Sequence, residues 1–169
     1  MALRPQDLLV SLKLAIMPAL PRPLYPALAS ALQLSPSEIH GAVRRATAAG
    51  LLDQEQKPNR TALMEFIVHG VKYVWAPKRG RVTRGIPTAH GAPPLLGELG
   101  ATSDPVPVWP EPNGIVRGES LEPLYRSVPR IVANDPQLYE VLCLLDAIRA
   151  GRARERSLAE QHLRRILGA

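Results

Sequence analysis

Between Ser35 and Arg45 the chain places hydroxyl, imidazole and guanidinium groups close together: Ser35, Ser37, His40, Gly41, Arg44 and Arg45. Hydroxyl and imidazole groups exchange hydrogen bonds with base edges or phosphate, and a guanidinium can grip a guanine or a phosphate through two bonds. A glycine among them admits close backbone approach. Further on, Lys78, Arg79, Arg81 and Arg84 set four cations within seven residues, and no acid occurs between Glu65 and Glu98. Like charges at that density repel unless they meet a counter-charge. Each feature has a plainer reading. An Arg-Arg pair late in a helix offsets the negative end of the helix dipole, and a basic loop is commonly just solvated. Taken together they point to a polyanion.

The charge distribution agrees. The formal net charge of +6 is not spread evenly: residues 1–94 hold 12 Lys/Arg against 5 Asp/Glu, and residues 95–169 hold 9 against 10. A basic half joined to a near-neutral half is what one anion-binding lobe produces.

These side chains need helices to position them, and the composition favours helix. Apolar residues make up 46% and aromatics only 4%, so Leu, Val, Ile and Ala must build the core. With 18 prolines the helices must be short. Pro5–Met17 carries Leu8, Leu9, Leu12, Ile16 and Met17 near helical spacing, with Pro5 and Asp7 suited to a first turn. Pro18–Pro23 breaks the pattern, and Tyr25–Leu32 resumes it with Leu24, Leu28, Ala29 and Leu32 inward.

Ser35-Pro36-Ser37-Glu38 is a capping box with proline at the first helical position. It opens a third helix to about Ala49, stopped by Gly50. With Ile39, Val43 and Ala46 buried, the opposite face presents Ser37, His40, Gly41, Arg44 and Arg45. Arg44 is then placed for a guanine or a phosphate and Arg45 for a phosphate.

A fourth helix fits Asn59–His69 and ends at Gly70. Val71–Trp75 has β character, with helix through Trp75 as the alternative. Ala76–Gly80 reads as a turn and Arg81–Arg84 as a returning strand. Ile86–Asn113 is rich in Pro and Gly and reads as a connector. Ser120–Asn134 is helical in pattern, broken near Pro129. Asp135-Pro136 caps a helix whose stripe is Leu138, Val141, Leu142, Leu145 and Ile148. After a bend at Gly151, Leu158, Leu163, Ile166 and Leu167 mark a last amphipathic helix.

Two helices joined by the tight Gln33-Leu34-Ser35 turn meet the requirements of a helix-turn-helix. The segment from Leu28 to Leu52, with Leu-Ala-Ser-Ala-Leu-Gln-Leu-Ser and Ala-Gly-Leu-Leu, resembles winged helix-turn-helix transcription regulators of the MarR/ArsR kind over about residues 5–85. The resemblance implies a mainly α fold: a winged helix-turn-helix DNA-binding domain at 1–85 with a small β-hairpin wing, then a Pro/Gly-rich connector at 86–119. A C-terminal helical lobe at 120–169 follows, for dimerisation or interaction.

It also implies a sequence-specific DNA-binding regulator, a repressor acting as a homodimer on a palindromic operator, because one recognition helix reads few base pairs. Double-stranded DNA is the expected partner, met by Ser35, Ser37, His40, Gly41, Arg44 and Arg45 and, through the wing, by Lys78, Arg79, Arg81 and Arg84. The rival reading is a protein-interaction module, such as an antitoxin that binds a partner protein through its C-terminal helices and also represses its own operon.

Other chemistries lack their residues. His40, His69, His90 and His162 are far apart and not at metal-ligand spacing, so no metal or other cofactor is expected. No phosphate loop or nucleophile elbow occurs, and no enzymatic activity is expected. The single Cys143 excludes an internal disulfide and fits a reducing, cytoplasmic compartment. The start does not read as a signal peptide, and no stretch reaches bilayer length.

Overall fold

The computed structural model describes residues 2–18, 25–100 and 104–169. It is mainly helical with a small three-stranded sheet. The first three helices are α1 (Pro5–Ile16), α2 (Tyr25–Leu32) and α3 (Pro36–Ala48). They stand where the apolar spacing predicts them; Leu24, expected on the inward face of α2, lies outside the described residues.

The capping box at Ser35 forms in full. Glu38 N–H donates to Ser35 Oγ at 3.2 Å, and Ser35 N–H donates to the Glu38 carboxylate at 2.8 Å. Gly50 takes a φ of +78°, in the left-handed region that ends α3, and Leu51 N–H reaches back to the Ala46 carbonyl at 2.9 Å. Asp53 then closes a polar loop by accepting from the amides of Glu55 and Lys57. Asn59 caps α4 (Arg60–His69) through the Ala62 amide.

The expected wing is replaced by a different construction. Val71–Val74 is a short helix, α5, so the helical alternative holds there rather than a strand. Trp75 N–H bonds the Val71 carbonyl, and the Trp75 ring stands edge-on to Phe66 at 5.4 Å. The strand β1 (Arg79–Pro87) finds its partners far along the chain. It pairs antiparallel with β2 (Pro107–Pro110) and with β3 (Val116–Leu121), and β2 pairs parallel with β3, so the three strands close on themselves.

Such a tight closure needs glycine. A Cβ on Gly85 would lie 2.1 Å from the Trp109 carbonyl oxygen, and one on Gly118 would lie 2.0 Å from that of Val106. The segment expected to be a connector thus supplies the end of β1, all of β2 and most of β3, together with α6 (Leu95–Leu99). The expected boundaries at 85/86 and 119/120 fall inside strands. Ser120 and Leu121 belong to β3, and the helical pattern after them survives only as α7 (Val128–Ile131) and a following turn of 3₁₀ helix.

The C-terminal helices are α8 (Pro136–Ala150), capped by Asp135 onto the Leu138 amide, and α9 (Ala153–Leu167). The apolar stripe of α8 is buried inside its own chain. Leu138 and every residue from Val141 to Arg149 are buried, and α8 packs against α1, α4, α5 and α9 of its own chain. One apolar core runs from Leu8 through Leu63 and Leu145 to Leu167. No helix among the described residues is long and apolar enough to cross a membrane.

Candidate nucleic-acid interface

Burial of Ile39, Ala42, Val43 and Ala46 against α1 and α2 decides which side of α3 meets solvent. Ser35, Ser37, His40 and Arg44 are exposed and Gly41 is half-buried. All of these but Ser35 border a depression of about 330 Å³ lined by Arg4, Gln6, Ser37, Glu38, His40, Gly41, Arg44 and Arg45. The His40 ring rests edge-on to Tyr25, 6.2 Å between centroids, and Tyr25 is held by a 2.9 Å bond to Gln56.

Among the described residues Glu38 is the one acid that lines the depression. Its bonds to the Ser35 amide and hydroxyl hold its carboxyl below the ordinary range, with Tyr125 and the nearby Arg126 adding to the effect. Its charge is thus tied to the cap and to Tyr125, whose hydroxyl lies 3.4 Å away.

Arg45 does not do what the sequence pattern suggests. It is 8% exposed and turns toward α1, where Nε and Nη2 meet the two Asp7 oxygens at 2.8 and 2.7 Å. Those bonds hold the guanidinium protonated still more firmly than usual. Arg45 lies three residues after Ala42, about 60° around the helix, so it borders the buried wedge instead of facing away from it. Arg45 still borders the depression, and Arg4, at the start of α1, joins it there. In the sequence Pro5 and Asp7 mark the first turn of α1, and nothing local marks Arg4 as a neighbour of α3.

The second basic group is split by β1. Lys78, Arg81 and Arg84 are exposed. Arg79 is committed, with Nη1 2.7 Å from Glu119 and Nη2 donating to the Ala150 carbonyl at 2.9 Å. The start of β1 and the start of α3 are linked by one short segment. Glu122 N–H donates to the Lys78 carbonyl at 2.9 Å, and Tyr125 reaches Glu38. Four residues of chain span at most about 14 Å.

Deeper in the fold one buried carboxylate is fully engaged, while His90 Nε2 and Ser127 Oγ are buried without a hydrogen-bond partner among the described residues. Asp146 accepts from Trp109 Nε1 at 2.6 Å, Thr88 Oγ1 at 2.9 Å and Arg149 Nη1 at 2.7 Å. Burial pushes its carboxyl up while these three partners pull against it. His162 sits between Glu98 and Arg165. Among the described residues no group of three or more His, Cys, Asp or Glu is arranged to hold a metal ion. Comparison with protein-family models, curated proteins and solved structures yields no match for this chain.

Proposed function

We propose that this chain binds double-stranded DNA and regulates transcription by occupying its site, with α3 entering the major groove. The observation that carries the reading is the outward face of α3, where Ser37, His40, Gly41 and Arg44 share one depression with Arg4. A major groove about 12 Å wide admits a single helix whose N-terminal side chains meet the base edges. Lys78 and Arg81, one short segment away, would hold flanking phosphates, which supply affinity and register rather than sequence choice. In this reading β1 takes the role expected of a wing. Reading a palindrome still calls for a second copy, whose contact must use surface other than the buried stripe of α8.

Fluorescence anisotropy with labelled duplexes over a range of salt tests the proposal. If about six phosphates are neutralised, log K falls against log salt with a slope near −5. Absence of binding at low salt overturns it.

One observation favours a protein partner instead. Tyr73, 76% exposed, stands beside the exposed Val74 on α5. A partner protein there, in place of the C-terminal helices first expected, would co-purify whatever the salt.

A further inference from the structure

We propose that Arg84 and Arg117 form a phosphate-binding pair on the exposed face of the β1–β3 ladder, and that its ligand is the phosphodiester backbone of duplex DNA. The pair deepens the DNA-binding reading and rests on it. Arg117 has no marker in the sequence; only the strand register brings it forward, by setting it directly opposite Arg84.

Residues opposed across an antiparallel ladder hold their Cβ atoms about 5 Å apart on the same face, and like charges so placed work against the pairing. Both arginines are exposed, and neither has an ion-pair partner among the described residues. Glu119, the next acid on that face, is engaged by Arg79 at 2.7 Å. Glu111 meets Arg84 through the backbone, its N–H donating to the Arg84 carbonyl at 3.1 Å. An anion between the two guanidinium groups relieves the repulsion, and two planar forks match the tetrahedral oxygens of a phosphate.

The backbone keeps the pair in place. Gly85 follows Arg84 and Gly118 follows Arg117, and at both glycines the strands press backbone against backbone, leaving no room for a Cβ. Two residues before each arginine stand Val82 and Ile115, 59% and 92% exposed, apolar surface that a bound partner would cover. Arg81, nearer the start of β1, and Lys78, just before the strand, are exposed as well. Exposed cations spread over this length of chain suit a polymer of phosphates better than a single ion.

The test uses the full chain, the double variant R84Q/R117Q and a charge-matched control, R130Q/R154Q, which removes two exposed cations from α7 and α9. With the repulsion gone, R84Q/R117Q unfolds no earlier than the wild type, so lost binding is not misfolding. The slope of log K for a duplex against log salt should shrink by about 1.8 in R84Q/R117Q and stay unchanged in the control. Arginine Nε–Hε resonances of the wild type should shift at both positions when duplex is added.

A wild type that binds DNA beside a double variant with an undiminished slope overturns the pair and leaves the DNA-binding reading standing. A wild type that binds no DNA overturns that reading and, with it, the backbone as ligand. Inorganic phosphate then decides the pair itself. Shifts at both resonances, lost in R117Q, uphold an anion site for free phosphate; no shift overturns the site.

Discussion

The guanidinium of Arg45 on α3 closes on the carboxylate of Asp7 on α1 through two hydrogen bonds, and Asp7 is wholly buried. Asp7 also accepts from the Arg4 amide at 2.8 Å, so one carboxylate caps α1 and anchors α3. The contact holds α3 in the roll that burial of Ile39, Ala42, Val43 and Ala46 sets.

Breaking that pair from one side leaves a buried charge. Replacing Arg45 by Met strands the Asp7 carboxylate, and we expect a loss of about 3–5 kcal/mol in urea unfolding. The double variant D7L/R45M should recover much of it, since an apolar pair of similar volume carries no desolvation cost. A single variant as stable as the wild type would show that the pair is not what seats α3.

Arg44 and Arg81 should separate specificity from general affinity. If Arg44 meets a base edge, Arg44→Ala weakens binding to the preferred sequence by about 1–3 kcal/mol while binding to random duplex falls less. Arg81→Ala should weaken both alike and flatten the salt slope by about 0.9. Competition with random DNA distinguishes the two; equal losses for Arg44→Ala remove its base-reading role.

The capping box carries a pH signature. Glu38 is held below its ordinary value of 4.5 in the folded chain. A depressed carboxyl adds stability that is present above its unfolded value and disappears as pH falls through the folded one. The stability advantage of wild type over E38Q should therefore be constant near neutrality and shrink below about pH 4.5. Parallel curves for the two proteins down to pH 3 would remove the cap's electrostatic contribution.

Cys143 should be inert in the native state. It is 1% exposed, and burial pushes its thiol well above the ordinary value. The thiolate is the reactive form, so a thiol reagent should modify it at the unfolding rate and accelerate with denaturant. Reaction in native buffer at the speed of an open thiol would contradict the packing of α8.

Several signals in the chain are complete within a turn or two of the residue that carries them. Ser35 finds Glu38, Asp135 finds the Leu138 amide, and Gly50 stops α3, because each device acts over four residues or fewer. The positions of α1, α2, α3, α4, α8 and α9 and the outward placement of His40 and Arg44 were therefore readable from spacing alone. The sheet was not. The partners of β1 lie 21 to 42 residues away, and the Pro- and Gly-rich stretch that provides them has no periodicity to announce a strand. Arg45 shows the same division: its place on α3 follows from helical geometry, but only the approach of α1 turns it toward Asp7. Helix starts, stops and faces are decided by neighbours in the chain; pairings such as Arg84 with Arg117 are decided by which distant backbones can close on one another.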